Sequence, residues 1–521
     1  MSGHVFVIQG SLAHLDYDAV VVSTDNRFSV TGRWQEVLGA KLDKYGYCAV
    51  RTLKPKDWTT KRYGRALEPT PGTPPRPTWF VDSAWYEDQT AAEAVRELTD
   101  RLAATLREVA SAGLPARYGR PHPLVALPTL GTGGGGFGPV RGKVIDALLT
   151  TCQEAVDDAE LDVVIVAERP SDYTAFQARR RQRAHHERHL VPVLQETAER
   201  LAGLAHQGHL ALFLGAGVGI PAGLPTWKAL LDELGAMAGV DTSDLDSDLD
   251  KAELLHLVLG PGFGNEVAKL IDVTKRYAIT HAMLASLGCG EIVTTNYDHL
   301  YEKAASDIAG EENATTLPFD QTRPRTPWVL KMHGDIRDPK SIVLTRSDFV
   351  GYDAKSRPMG SMVQSLMITK HLLFVGASMT DDNVLRLAHE VFAFHESEAR
   401  KSKPTAERDP IGTVVTLAPS PAKAQLFRNR FTYVHASESE SIPDQARDLA
   451  IFLDLLAMLT SKSAHLLDPR YETLLRSKDE RATAKSARAL LMMIEKLPSD
   501  DAGAWQTVNE ALVELGGTSG R

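Results

Sequence analysis

Residues 210–227 read LALFLGAGVGIPAGLPTW, and the rest of the chain is organised around them. Ala211–Leu214 is a short apolar run that ends in Gly215-Ala216-Gly217. Small residues follow, and then an amphipathic stretch, Trp227–Met237. The pattern predicts a strand, a glycine turn and a helix start. Small residues let backbone N–H groups approach a phosphate closely, at the positive end of a helix. Glycine turns after buried strands are also common, so this stretch alone leaves a phosphate site and plain turn chemistry both open.

Three later segments have the same character. Glu291–Thr295 reads as a strand that ends in Asn296-Tyr297-Asp298, and Trp328–Met332 as one that ends in His333-Gly334-Asp335. His371–Val375 ends in Gly376-Ala377-Ser378. Ile411–Leu417 and Thr432–Val434 supply late strands. Ala252–Leu259 and Asn265–Ala285 read as helices, the latter with Val267, Leu270, Ile271, Val273 and Ala278 inward. Ligands of doubly wound sheets bind outside the carboxyl ends of the strands. Polar or glycine residues at four such ends predict a site along that edge of an α/β domain spanning about 190–436.

Bulk composition narrows the setting. A length of 521 residues suits two to four domains. The net charge of −9 argues against nucleic acid as a partner. Cys48, Cys152 and Cys289 are far apart, which gives no Cys-x-x-Cys pair, no zinc ribbon and no disulfide framework. His185, His186 and His189 have no acidic or thiol partner at ligand spacing beyond Glu187, so no metal is expected. The first residues lack a basic segment followed by an apolar core, and no apolar run reaches transmembrane length. The expectation is a cytoplasmic protein.

Residues 1 to about 180 predict a separate α/β domain. His4–Gln9, Ala19–Ser23, Thr78–Asp82, Leu124–Pro128 and Asp162–Ala167 read as strands, and Thr90–Ala112 and Val140–Ala155 as helices. After the fourth strand comes Gly131-Thr132-Gly133-Gly134-Gly135-Gly136-Phe137, with five glycines in six residues. Such a backbone is free to wrap an anion, which makes it a candidate second nucleotide site; a flexible hinge is the other reading. Arg179–His189 is a charge run expected to cap the domain and to begin a solvated linker helix. Residues 437–521 are expected to be helical. Ile442, Ala446, Leu449, Phe452, Leu453, Leu456 and Leu459 form a stripe suited to packing on the second domain or a partner chain. Ala487–Ile494 and Val508–Leu515 suggest two more helices.

The first region resembles a macro domain, the ADP-ribose-binding α/β module. Gln9-Gly10-Ser11-Leu12, Asp18-Ala19-Val20-Val21-Val22-Ser23-Thr24-Asp25-Asn26 and Leu127-Pro128-Thr129-Leu130-Gly131-Thr132-Gly133 stand where that family has its early turn, its second strand and its phosphate loop. Ser11 stands where the family carries an adenine-binding acid, and Ser23 where it carries an early Asn. What the resemblance then implies is a phosphate loop on a macro-like frame, a sensor for a nucleotide or ADP-ribose-type ligand rather than a second enzyme.

The second region is similar to the sirtuin fold, and most of all to its bacterial SIR2-like branch. GAGVGIPAGLPTW, TTNYDHLYE, KMHGD and FVGASMTDDN follow that branch's motifs in order, with Gly219 where serine is usual. The resemblance implies NAD binding by Gly215, Ala216, Gly217, Asp298, Gly376 and Ser378. It places Asn296 near the ribose carbon that bears nicotinamide, positioning a water. It makes His333 the general base or a ligand of the ribose hydroxyls, and leaves Asp335 either to orient His333 or to cap a helix. It leaves Asp381 or Asp382 to hold the adenosine side or to cap the following helix, with capping preferred. A sirtuin deacylase carries a four-cysteine zinc module, and the three dispersed cysteines here cannot build one. The expectation is therefore an NAD glycohydrolase, with NAD as substrate and no metal. It would be gated and used in antiphage defence by NAD depletion, and would assemble as a homo-oligomer. A non-catalytic NAD or ADP-ribose sensor, and a zinc-free deacylase or ADP-ribosyl transferase, stay open.

Overall fold

The computed structural model describes residues 2–68, 72, 74–183, 190–310, 315–324, 326–401, 410–497 and 503–517. Contacts divide the chain into two compact units. One holds Met1–Arg117, Pro121–Arg188 and Ala457–Arg521, and the other holds Tyr118–Arg120 and His189–Leu456. No described helix is long and apolar enough to cross a membrane.

The first unit is built on six strands: β1 (Val5–Gln9), β2 (Ala19–Thr24), β3 (Tyr63–Arg65), β4 (Thr78–Asp82), β5 (Leu124–Pro128) and β6 (Asp162–Ala167). Their order is β1-β6-β5-β2-β4-β3. All neighbours are parallel except the edge strand β3, which runs antiparallel to β4. The apolar runs form strands because parallel sheets are covered on both faces, so alternation is not needed. Val125, Leu127, Val163 and Ile165 share a core with Leu98 and Leu102 of the helix Ala91–Ser111 and Leu148 and Cys152 of the helix Arg141–Asp157. Thr90 and Glu93 form a capping box that starts the first of these helices.

The second unit holds seven parallel strands: β7 (Leu210–Leu214), β8 (Glu291–Thr294), β9 (Thr315–Leu317), β10 (Trp328–Lys331), β11 (His371–Val375), β12 (Gly412–Thr416) and β13 (Phe431–His435). Their order is β13-β12-β11-β7-β8-β10-β9. The chain builds outward from β7 to one side through β8, then returns to its other side through β11. A crevice opens where connections leave in opposite directions, and here that point lies between β7 and β11.

Three expectations change. The helix expected over Asn265–Ala285 is two helices, Phe263–Ile271 and Ile279–Ala285. Between them the Thr274 hydroxyl accepts from Arg276 N, a local bond that competes with helix, and Val273 is exposed rather than inward. The start of the charge run is paired rather than solvated. Arg179 and Arg183 both grip Asp146, and Arg180 is buried on Gln177. Residues 184–189 of that run lie outside the described residues. Finally, the C-terminal helices do not all go with the second unit, because the division falls inside the helix Ile442–Thr460. Beyond it, Tyr471 and Leu474 enter the core of the first unit, and the Tyr471 hydroxyl donates to buried Asp172 at 2.7 Å.

Burial also sets a pH dependence. His281 is buried at the start of the helix Ile279–Ala285, where its Nδ1 accepts from Ala278 N at 3.2 Å. Desolvation pushes its pKa down to about 4, against the opposing pull of Asp298. The unfolded chain takes up this proton near pH ~6.5 while the fold resists it. Stability is therefore held above about pH 6.5 and lost as the pH falls toward 4. We expect the melting midpoint to drop by about 5 °C between pH 7 and pH 5. The drop should shrink in His281→Gln, and an unchanged drop in that variant would assign the effect to other groups.

Candidate functional site

The two glycine turns at the switch point are pressed together. Gly215 N donates to Val375 O, and Gly217 N donates to Gly376 O, both at 3.0 Å. A Cβ on Gly215 would lie 2.4 Å from Gly376 O, and one on Gly217 would lie 2.8 Å from Gly376 Cα. Gly376 has φ +68°, and a Cβ there would meet Val218 N at 2.6 Å. These glycines are required first by loop against loop, at the carboxyl ends of β7 and β11. The turn after β7 runs through short 3₁₀ turns at Ala216–Val218 and Ile220–Ala222, and the helix begins at Trp227, where the amphipathic stretch places it, capped by Thr226.

Asn296 follows β8, the neighbour of β7. Its backbone N–H donates to the Thr294 hydroxyl at 3.0 Å, and its Nδ2 donates to Gly215 O at 3.1 Å. The amide is thus turned toward the first glycine loop. Its other end, Oδ1, is buried with no hydrogen-bond partner. An unpaired buried amide oxygen carries a desolvation penalty unless something supplies a donor.

His333 follows β10 and is 2% exposed. Its ring stands edge-on to Phe349 and Tyr352. Nε2 lies 3.2 Å from Asp381 Oδ2, but off the line that a hydrogen bond needs, so this buried nitrogen is also unpartnered. Burial lowers the imidazole pKa and the Asp381 carboxylate opposes that, leaving the ring neutral at pH 7. Asp381 comes from the loop after β11. Its Oδ1 accepts from Asn383 N at 2.9 Å and Val384 N at 3.1 Å, so one oxygen caps the helix Asp382–Lys401 while the other faces His333. The cap is the role the sequence favoured. The contact with His333 is one it did not show.

The other candidates fall differently. Ser378 is exposed on the same loop, with its hydroxyl 2.6 Å from the Thr380 hydroxyl. Asp298 is buried and its Oδ1 accepts from Leu300 N at 2.9 Å, capping the helix Leu300–Ala309. Asp335 neither orients His333 nor caps a helix. It is fully buried, receives His299 Nε2 at 2.6 Å and Arg337 Nε at 3.2 Å, and lies 3.6 Å from Lys331 Nζ. Burial alone would raise its carboxyl. The His299 bond, the Lys331 charge and the Arg337 donors outweigh that and hold it well below the usual carboxylate range. Asn383 joins these candidates only in the structure, where it is 5% exposed with its Nδ2 buried and without a hydrogen-bond partner. Its signal was present in FVGASMTDDN, two residues past Asp381.

In the first unit, the run Gly131–Gly136 also sits at a carboxyl edge, after β5. Trp85 N donates to Gly135 O at 2.7 Å, and Phe137 N donates to Gly131 O at 3.3 Å. Phe137 is buried 5.7 Å from the Trp85 ring. A Cβ on Gly131 or Gly135 would crowd Ser83 O, at 3.1 and 2.4 Å. Thr132 is buried, and its carbonyl accepts from buried Arg141 at 2.6 Å. A loop tied at both ends in this way is not a slack hinge.

Known proteins resemble parts of this chain. Residues 290–432 match the family model described as SIR2-like domain. The chain is 31% identical over 211 residues to the NAD(+) hydrolase ThsA of Enterococcus faecium, covering 37% of this chain and 42% of that one. It is 29% identical over 204 residues to the NAD(+) hydrolase ThsA of Bacillus cereus, covering 37% and 41%. Defense-associated sirtuin 2 of Bacillus subtilis is 25% identical over 211 residues, covering 38% of this chain and 20% of that protein. The chain thus spans less than half the length of these curated relatives. Among solved structures, a macrodomain variant from Oceanobacillus iheyensis aligns with TM-score 0.25 and 15% identity, over 34% of this chain and 90% of that one.

Proposed function

We propose that the second unit hydrolyses NAD to nicotinamide and ADP-ribose. The observation that carries this reading is the pair of unpartnered buried groups, Asn296 Oδ1 and His333 Nε2, at the carboxyl edge of one parallel sheet. Binding of a nucleotide alone does not need both groups. The relatives named NAD(+) hydrolase support the same substrate.

The chemistry asks little of the protein. The nicotinamide nitrogen is already cationic, so when the glycosidic bond breaks, its electron pair neutralises the leaving group and no general acid is needed. The ribose carbon becomes oxocarbenium-like and a water oxygen bonds to it. Asn296 is suited to hold that water, since its amide both donates and accepts at neutral pH. His333, neutral through burial, accepts the water's proton, and the Asp381 carboxylate stabilises the imidazolium that results. Gly215–Gly217 and Gly376–Ser378 would receive the phosphates and ribose, and Asp298 would keep the end of β8 in shape. We propose no metal in this reaction.

Free NAD hydrolysis would harm a host cell, so we further propose a gate. The glycine loop Gly131–Phe137 is the candidate sensor for a nucleotide or ADP-ribose-type ligand, and assembly into a homo-oligomer is a second means of control. The setting we propose is antiphage defence in the cytoplasm, and one relative bears the name Defense-associated sirtuin 2.

Purified protein incubated with NAD, alone and with lysate of phage-infected cells, tests this. Nicotinamide release in either condition is the expected result. NAD binding with no nicotinamide in both conditions would make the unit a sensor.

A further inference from the structure

We propose that the ion pair Arg33–Glu168 is a latch on the glycine loop Gly131–Gly136, and that a phosphate-bearing nucleotide opens it by taking Arg33 from Glu168. This rests on the reading of that loop as a nucleotide site.

The parallel strands of the first unit bring four connections to one edge. Arg33 lies after β2, Ser83 and Trp85 after β4, the glycine run after β5, and Glu168 directly after β6. The two ends of the run are fixed by Ser83, Trp85 and Phe137, as described above. Its middle is open: a Cβ on Gly134 would meet nothing within 4 Å. Among the described residues, what a Cβ on Gly133 would meet within 4 Å is the side chain of Arg33, whose Nη1 lies 2.9 Å away. A guanidinium there faces the place where backbone N–H groups would receive an anion, and its fork suits two phosphate oxygens.

At present that fork holds a carboxylate of the protein itself. Arg33 Nη2 donates to both Glu168 oxygens at 2.7 Å. The side chains are 41% and 53% exposed, so solvent screens the pair and it is weakly held. A doubly charged phosphate is a better partner for Arg33 than one screened carboxylate. Trp34 stacks under the guanidinium at 5.3 Å, which keeps Arg33 at the loop when Glu168 leaves. The edge also holds polar groups that lack a protein partner. Thr24 Oγ1 at the end of β2 and Trp34 Nε1 next to Arg33 are buried and unsatisfied, with the residues 7% and 2% exposed. Such groups are expected where a ligand completes the hydrogen bonding.

The latch predicts opposite effects from its two halves. The full chain is titrated calorimetrically with ADP-ribose and, separately, with inorganic pyrophosphate. Glu168→Gln removes the competing anion and should tighten both ligands about fivefold. Arg33→Gln should weaken both at least tenfold, because charge-assisted bonds to phosphate are lost. Gly134→Val, which has room to fold, should abolish both. Equal affinity for ADP-ribose in wild type, Arg33→Gln and Glu168→Gln, with loss only in Gly134→Val, would keep the loop as a site and overturn the latch. Binding that none of the three variants alters would place the ligand elsewhere and overturn both. So would the absence of binding in wild type and in Glu168→Gln.

Discussion

Asn296→Ala is expected to lower nicotinamide release from NAD by about 10³-fold while the chain stays folded. The side chain of Asn296 has a small part in holding the fold. It makes one hydrogen bond, Nδ2 to Gly215 O, at a half-buried position, so its loss costs the fold about 1 kcal/mol. The other end of the amide contributes nothing to stability, because Oδ1 has no partner. A group that is buried, oriented from one side and unpaired on the other is arranged for a ligand. Removing it should therefore separate the two readouts, with a small shift in the melting midpoint and a large loss of turnover. Asn296→Asp sharpens the test. It keeps the shape but cannot donate to Gly215 O, and it puts a charge beside a buried edge. Turnover in Asn296→Ala within tenfold of wild type would remove Asn296 from the reaction. A matching loss of melting temperature and turnover would make it only a structural residue.

The architecture was legible in the sequence because the strands of parallel sheets are short apolar runs. β4, β5, β6 and β11 fall on the same residues as the apolar runs themselves. The candidate site was legible because strand ends in such a sheet share one edge. That rule places Asn296, His333 and the two glycine turns at one edge, and the resemblance to the SIR2-like branch is what singles out Asn296 and His333 there. What the sequence did not show depends on distance across the fold. Asp381 and His333 are far apart in sequence and follow strands separated by β7 and β8, so they meet only where the connections after β11 and β10 come together beyond the carboxyl ends of the sheet. Asp335 sits two residues from His333, and that closeness suggested a pairing, yet its carboxylate serves His299, Lys331 and Arg337. The glycines of residues 215–217 looked like a phosphate cradle on their own, whereas the closest demand on them is the backbone of residues 376–377. The docking of Tyr471 into the first unit had no local signal at all. Its hydroxyl bond to Asp172 spans 299 residues.

Lys331→Met is expected to lower stability by about 3–5 kcal/mol, the largest loss foreseen for any single substitution in the second unit. Lys331 lies at the end of β10 with its ammonium fully buried. It lies 2.9 Å from Glu302 and 3.6 Å from Asp335, and it also donates to the carbonyl of Asp298. Methionine fills nearly the same volume, so packing is kept and the change is one of charge. Two carboxylates then stay in the interior with their shared cation gone. Asp335 retains His299 and Arg337, but Glu302 has no other ion-pair partner among the described residues. Adding Glu302→Gln should therefore recover a large part of the loss, whereas Arg337→Met, at a side chain 44% exposed, should change stability by less than about 1 kcal/mol. Chemical denaturation of the four proteins tests the order. A Lys331→Met protein as stable as wild type would mean that the buried charge network does not hold the fold. The consequence reaches the reaction through geometry, because Lys331 joins the chain after β8 to the chain after β10. Those two connections carry Asn296 and His333, so the buried charge network keeps the two proposed reacting groups in register without either of them belonging to it.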